Sequence, residues 1–452
     1  MVNVLKAGGS SLASRELIEH FLLDCVAINP DNRYLIVSAP GKKNICDKTE
    51  KKVTDLLKEA AEKYRGRNDS IPIKYVKERF LDLYPDFPDV QKLLDNKIFR
   101  ANDAPPVRYQ DQVALLGELI QANGIVKVAN KLGIKAVLAL PEQINFILES
   151  DRGFLMPNHL CYPMIKSRLD ELTSKNPNSL IVIPGYYGTL PNGILATMER
   201  GASDITGSVI ARAVNAEVYQ NWTDFALHVI DPKKVPNDRK IECITREEVT
   251  ELGGSGEFKL NHHCLIPLEG TNIPIEVKNT REPREKGTLV TYEREVRKDE
   301  KISGITYKEN LLAIELKRPG IDSEEGYGEN VLRILRENNV SYRHSPTGVD
   351  RMAIIVEEAQ IKNGKLEKVL GKIDDELGPV NINVRKSLST VGVAGLGMKN
   401  YDRAAEDVLS ALREKGIRHT WPGIGSSDIS FFVGLEGPVD EALNALYQKF
   451  YG

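Results

Sequence analysis

Near the N-terminus, Lys6 ends an apolar run, and Gly8, Gly9 and Ser10 follow it. Glycine turns let backbone N–H groups approach a phosphate because no Cβ intervenes, and a lysine beside them supplies a cation. The run lacks the Gly-Lys-Ser/Thr ending of a Walker A loop. An ordinary strand-to-helix turn with a solvated lysine is the alternative interpretation, and this motif alone leaves it open.

A second stretch with suitable chemistry is Arg200-Gly201-Ala202-Ser203-Asp204. Ser203 or Asp204 suits the N-cap of the helical pattern that follows, since a side-chain oxygen there accepts an unpaired backbone N–H. Arg200 adds a planar guanidinium that can hold a carboxylate by two bonds. With Lys6, this stretch forms a coherent set for phosphoryl transfer, which depends mainly on positioning and charge neutralisation. Helix capping alone is the alternative.

Two further acids lie in informative places. Thr223 and Asp224 end a predicted strand, and ligands of open α/β sheets bind beyond the carboxyl ends of strands. Glu118 lies in an apolar helical stretch, where its carboxylate could accept a substrate ammonium group. The alternatives are a turn-forming aspartate and a glutamate on an exposed helix face.

The histidines and cysteines predict no metal site. The seven histidines lack metal-ligand spacing, and the five cysteines are dispersed without a CxxC pair. We therefore expect isolated, reduced thiols and no metal held by protein side chains.

Length and charge set broad limits. A length of 452 residues suggests about three domains. With 61 basic and 64 acidic residues, the net charge of −3 gives no indication of a nucleic-acid or membrane surface. The N-terminus lacks a signal peptide pattern, and no stretch approaches the roughly 20 apolar residues of a membrane-spanning helix. We expect a soluble, cytoplasmic protein with no nucleic-acid or membrane partner.

Short apolar runs alternate with helical patterns over residues 1–292, which predicts an α/β domain with a mainly parallel sheet between helix layers. A helical insertion is expected near residues 62–106, and a charged linker at 293–302. Weakly repeated units at 303–380 and 381–452 predict two ferredoxin-like βαββαβ modules, which could exchange strands. The predicted strands of the first domain are Val2–Lys6, Tyr34–Ser38, Ala136–Ala139, Leu180–Gly185, Glu217–Trp222 and Ile273–Lys278.

Taken in order, these motifs resemble those of the aspartokinases, members of the amino acid kinase family. The opening turn is similar to the family's K-F-G-G-T-S, and Arg200–Asp204 to its R-G-G-S-D. Gly117-Glu118 and Trp222-Thr223-Asp224 match its glycine-glutamate pair and its W-T-D. Gly392–Met398 and Pro422–Asp428 resemble turns of the family's paired C-terminal ACT domains.

The resemblance implies transfer of the ATP γ-phosphoryl group to the side chain of L-aspartate, with Mg²⁺ on the nucleotide. This would be the first step of lysine, threonine and methionine biosynthesis. By the same resemblance Lys6 and Asp204 would act at the transferring group. Aspartate would be held by Ser38, Thr54, Glu118, Arg200 and Ser203, and ATP by Gly8, Gly9, Ser10, Thr223, Asp224 and Lys233.

For the ACT modules, the resemblance implies a homodimer or tetramer and a threonine or lysine effector. This chain departs from the family pattern mainly at residues 225–262, where the nucleotide-side lysine is displaced or lost. Arg343 stands where lysine-sensitive members carry an acid. Two alternatives stay open: a related kinase of glutamate, N-acetylglutamate or UMP, and a catalytically weak amino-acid sensor.

Overall fold

The protein is described from a computed structural model. It describes residues 2–43, 49–63, 70–101, 108–151, 154–199, 201–256, 258–378, 380–424 and 427–452. By contacts, the chain divides into two units. The first contains Met1–Leu227, Lys240–Arg246 and Lys259–Arg294, and the second contains His228–Arg239, Glu247–Phe258 and Glu295–Gly452. Two segments of the predicted catalytic domain, 1–292, thus belong to the second unit, while the predicted domain boundaries stay predictions.

The strands of the first unit are short, and most belong to one sheet. Their bounds are β1 Asn3–Ala7, β2 Asn32–Val37, β3 Ala136–Leu138, β4 Leu148–Asp151, β5 Phe154–Pro157, β6 Leu180–Pro184, β7 Tyr187–Thr189, β8 Leu195–Thr197, β9 Val218–Thr223, β10 Cys243–Thr245, β11 Ile275–Asn279 and β12 Thr288–Thr291.

Within the described residues, eight of these strands form a sheet in the order β10-β12-β11-β9-β1-β2-β6-β3. Neighbouring strands run parallel except β11 and β12. All six strands predicted for this domain lie in this sheet, which confirms the expected fold class. The pairs β4-β5 and β7-β8 form separate antiparallel hairpins.

Helices accompany the sheet, and the central strands are buried. Every residue of β1 is buried, as a strand covered on both faces requires. No helix in the described ranges is long and apolar enough to cross a membrane. The helix bounds are α1 Arg15–His20, α2 Val53–Lys63, α3 Ile71–Leu83, α4 Pro88–Ala101, α5 Tyr109–Ala114, α6 Leu116–Lys131, α7 Cys161–Lys175, α8 Ser203–Ala213 and α9 Arg246–Ser255.

The second unit contains an antiparallel sheet that, over the residues described, has five strands in the order β14-β13-β15-β17-β16. Its strands are β13 Gly304–Lys317, β14 Arg351–Glu357, β15 Asn381–Ala394, β16 His419–Ile424 and β17 Ser430–Glu436. Its further helices are α10 Tyr327–Glu337, α11 Lys365–Leu377, α12 Ala404–Glu414 and α13 Asp440–Tyr451.

Two long strands connect the halves of this sheet. The end of β13, Leu311–Lys317, pairs with β14 and with the start of β15. The start of β13, Gly304–Lys308, instead pairs with the end of β15, which in turn pairs with β17. Each half therefore uses a strand from the sequence range predicted for the other half.

Candidate active site

A buried ion pair joins the end of β1 to the start of α8. Lys6 Nζ lies 2.7 Å from Asp204 Oδ1, and the two side chains are only 11% and 9% exposed. In the parallel register Lys6 lies opposite Asn221 on β9, whose Oδ1 accepts a second hydrogen bond from Nζ at 3.4 Å. The sheet thus holds a cation at the carboxyl edge of its strands, where open α/β sheets bind ligands.

Asp204 occupies the first turn of α8, where the helix dipole favours a negative charge. Its Oδ2 accepts the backbone N–H of Asn261 at 3.4 Å. The Asn261 side chain donates to the Gly201 carbonyl at 3.3 Å, so this residue holds the loop before α8 as well. Gly201 has a φ of +85°, a conformation that glycine adopts without strain.

The glycines after Lys6 allow two turns to approach closely. A Cβ on Gly9 would lie 2.6 Å from the Ala39 carbonyl oxygen, and one on Gly41 would lie 2.7 Å from Gly9. Gly8 N–H donates to the Trp222 carbonyl at 3.0 Å. Close packing between the turns after β1 and β2 therefore requires these glycines, in addition to any contact with phosphate. Ser10 is half-buried in this turn.

Glu118 is a fully buried carboxyl near the turn after β2. Its Oε2 has no hydrogen-bond partner in the described structure. Burial raises the pKa of Glu118 to about 8, and hydrogen bonds from backbone groups such as that of Ala39, with the charge of Lys58, oppose the rise only in part. The alternative that Glu118 lies on an exposed helix face is therefore wrong. Gly117 lets α6 pack closely against Ala39, since a Cβ added to Gly117 would lie 2.8 Å from the Ala39 Cβ.

The other residues predicted to hold the substrate have varied positions. Ser38 follows β2, its N–H donates to the Ala7 carbonyl at 3.2 Å, and its side chain is half-buried. Thr54 is half-buried in the first turn of α2. Ser203 is buried at the start of α8, beside Gly185, where an added Cβ would lie 2.8 Å from Ser203 Cβ. Arg200 lies outside the described residues.

Just after β9, Asp224 faces Lys259, which lies in the segment where the family's nucleotide-side lysine was expected to be displaced or lost. Lys259 Nζ lies 3.1 Å from Asp224 Oδ1 and 4.1 Å from the centre of the Phe225 ring. Burial alone would raise the pKa of Asp224. The charge and hydrogen bond of Lys259, with a hydrogen bond from Thr223, outweigh burial and hold this pKa below its usual value.

Lys233, the remaining residue predicted to bind the nucleotide, is exposed and lies in the segment 228–239 of the second unit. Its role stays a prediction. Sequence reasoning did not single out Asn221, Asn261 or Lys259. The position of Asn221 at the end of a strand next to β1 was an available signal, whereas the contacts of Asn261 and Lys259 depend on a loop without periodicity.

Comparisons with known proteins identify the family of this chain. The model of the amino acid kinase family matches residues 1–279, which is more than half of the chain. This chain belongs to the amino acid kinase family. Membership confirms the expected class of enzyme, a kinase.

Several proteins similar to this chain are aspartokinases. Aspartokinase 3 of Bacillus subtilis is 29% identical to this chain, and the alignment covers 100% of this chain and 99% of the Bacillus protein. The aspartate kinase of Clostridium acetobutylicum superimposes with a TM-score of 0.78 at 28% identity, covering 99% of this chain and 100% of its own. The expected resemblance to aspartokinases with a regulatory region of ACT type is therefore confirmed.

A third structure shares the fold at lower identity. E. coli aspartokinase III, solved with aspartate and ADP in its R-state, superimposes with a TM-score of 0.83, and 100% of each chain is covered. At 18% identity, this likeness shows the fold alone.

Replacement of the buried ion pair should show strong coupling. Lys6→Met or Asp204→Asn leaves one partner buried without its counterpart, so we expect each to lower the free energy of unfolding by about 3–5 kcal/mol. The double variant should lose much less than the sum, because it leaves no unpaired charge. Urea denaturation measures this cycle, and the exposed pair Lys166–Asp170 is the matched control, expected to couple weakly. If the losses of unfolding free energy in the two single variants add up in the double variant, Lys6 and Asp204 do not stabilise each other.

The raised pKa of Glu118 predicts a pH-dependent stability. Between about pH 4.5 and pH 8 the folded protein keeps a proton on Glu118 that the unfolded chain releases. This group therefore makes the free energy of unfolding fall by about 1.4 kcal/mol per pH unit as the pH rises through that window. Glu118→Gln removes this contribution, so its stability relative to wild type should increase from pH 5 to pH 8.

Urea denaturation at several pH values measures this difference. Glu414→Gln, on the exposed surface of α12, is the matched control and should follow the wild-type pH dependence. A constant difference between Glu118→Gln and wild type across the window would show that the Glu118 pKa is not raised.

Proposed function

We propose that this chain is an aspartokinase, which transfers the γ-phosphoryl group of ATP to the side-chain carboxylate of L-aspartate to give ADP and 4-phospho-L-aspartate. The observation that carries the proposal is the Lys6–Asp204 pair, together with a buried Glu118 oxygen that has no hydrogen-bond partner among the described residues. Lys6 is the last residue but one of β1, and Glu118 lies by the turn after the parallel neighbour β2, so both lie near the same edge of the sheet.

The chemistry proposed for this edge needs little from the protein beyond charge and position. The aspartate side chain is ionised near neutral pH, so it attacks without a general base. A carboxylate oxygen forms a bond to the γ-phosphorus while the bond from that phosphorus to the β–γ bridging oxygen breaks, and ADP leaves. Lys6 would neutralise charge on the transferring group, and Asp204 would orient the ammonium of Lys6.

Recognition of the amino acid would depend on complementary charges. On binding, Glu118 would release its proton and accept the substrate ammonium, because a nearby cation favours the charged form of a buried carboxyl. Arg200 would hold a carboxylate by two bonds. Ser38, Thr54 and Ser203 would supply hydroxyl groups around the substrate.

The nucleotide would lie beyond β1 and β9. Gly8, Gly9 and Ser10 would lie against its phosphates, and Thr223, Asp224 and Lys233 would contact its adenosine side. The Gly8 N–H already donates to Trp222, so Gly9 and Ser10 would present the backbone N–H groups. We add Lys259 to this set because it carries a positive charge beside Asp224. Mg²⁺ would come with the phosphates and neutralise part of their charge; the described residues contain no cluster of three or more His, Cys, Asp or Glu that could hold a metal.

Regulation and pathway are part of the same proposal. Residues 303–380 and 381–452 would be ACT modules that bind threonine or lysine and assemble a homodimer or tetramer, and the reaction would open lysine, threonine and methionine synthesis. E. coli aspartokinase III has been solved with lysine and aspartate. In this chain Arg343 Nη2 lies 2.7 Å from Glu357 Oε1, so its charge is compensated and does not by itself exclude a lysine effector.

The substrate assignment is tested by ADP release with Mg²⁺, ATP and each candidate acceptor. We expect turnover with L-aspartate to exceed that with glutamate, N-acetylglutamate and UMP. Asp204→Asn should lower kcat by at least about 100-fold, the usual cost of losing one electrostatic group at the reacting centre. Faster turnover of another acceptor would indicate a kinase of the same fold with a different substrate. Tight threonine binding by calorimetry without ATP binding would indicate the sensor instead.

Lys259→Ala tests the nucleotide side. Loss of a charge-assisted contact of about 1.5–3 kcal/mol should raise the KM for ATP by about 10- to 100-fold and leave the KM for aspartate unchanged. Lys175→Ala, at the end of α7, removes a paired surface lysine and should change neither constant. An equal rise in both KM values would place Lys259 outside the nucleotide site.

A further inference from the structure

In the second unit, β14 and the paired ends of β13 and β15 pack α10 and α11 on one face, and the opposite face has a polar end. Alternate residues of β13 point to opposite faces. Leu312, Ile314 and Leu316 belong to the core formed with α10 and α11. Glu315 and Lys317 therefore lie on the other face, with their neighbours on β14 and β15.

Two cations lie directly opposite each other at this end of the sheet. Lys317 pairs in register with Arg351 on β14, and on its other side with Asn381 on β15. Both cationic residues are exposed, and neither side chain forms an ion pair within the described part of the chain. Like charges in directly opposed positions of an antiparallel pair destabilise the sheet. Folding alone does not account for this arrangement.

A nearby acid does not neutralise the two cations. Glu315 Oε1 lies 3.1 Å from Arg385 Nη1, and its Oε2 accepts a hydrogen bond from Asn383 Nδ2 at 2.8 Å. Both oxygens of Glu315 are therefore occupied, and the local excess of positive charge remains at Lys317 and Arg351.

These residues line a cavity of about 420 Å³, within the size range of small-molecule sites. Pro346 and Ala353 add apolar surface, and Thr347 and Asn381 add groups that form hydrogen bonds. All of these residues lie in the second unit. The cavity thus combines two cations without an ion pair in the described part of the chain, neutral polar groups and an apolar wall.

We propose that this cavity binds a small anion that carries a phosphate group. The Arg351 guanidinium provides a planar fork for two phosphate oxygens, Lys317 provides a compact second charge, and the Asn381 amide can donate to a third oxygen. The apolar wall would contact the organic part of a phosphate ester. A zwitterionic amino acid fits less well, since both oxygens of Glu315 already accept hydrogen bonds from Asn383 and Arg385. The proposal does not depend on the kinase activity.

Calorimetry and thermal unfolding of the full chain test this site with inorganic phosphate and with glycerol phosphate. Chloride and sulfate at equal ionic strength separate phosphate recognition from general screening, and L-threonine and L-lysine are titrated in parallel. The test variant is Lys317→Gln/Arg351→Gln. The control variant, Arg336→Gln/Lys368→Gln, removes the same charge from exposed positions on α10 and α11.

We expect both phosphates to bind wild type and the control alike, and the Lys317/Arg351 variant at least about tenfold more weakly. Without phosphate and at low salt, this variant should unfold at the same or a higher temperature than wild type, because the repulsion is gone. Equal phosphate binding by all three proteins, or no binding beyond that of chloride, would overturn the proposal. So would amino-acid binding that depends on Lys317 and Arg351 while phosphate binding does not.

Discussion

The Lys6–Asp204 ion pair constrains the first unit because both charges are taken out of water and can be stabilised only by each other and by nearby dipoles. Their 2.7 Å separation requires β1 and α8, nearly 200 residues apart in sequence, to meet at one edge of the sheet. The parallel register of β1 with β9 adds Asn221, and the start of α8 adds its dipole. A phosphoryl group brought to this edge would meet a cation that is already oriented.

Burial has opposite outcomes for two other carboxyl groups of the same unit. Among the described residues, no cation lies close enough to Glu118 to compensate for burial, so its pKa rises to about 8. Asp224 is also buried, but Lys259 and Thr223 stabilise its charged form and its pKa falls below the usual value. One acid is thus suited to receive a substrate cation, while the other already has a cation. This contrast is consistent with the proposal of an amino-acid side of the site at Glu118 and a nucleotide side at Asp224.

In the second unit, β13 and β15 each serve both halves of one sheet. The two halves are therefore joined through continuous hydrogen-bonded ladders. The cations Lys317 and Arg351 lie at the outer end of these ladders, far from the segment where β13 pairs with the end of β15.

The sequence by itself determined the alternation of strands and helices, the six main strands of the large sheet, and the family motifs, because these depend on local periodicity and on residue types in order. It missed β10, β12 and the two hairpins, since strands of three or four residues carry little periodic signal. Only the tertiary structure decided that Glu118 is buried, that Lys259 pairs with Asp224, and that β13 is shared between two halves. Each of these depends on packing between distant segments, which local pattern does not specify.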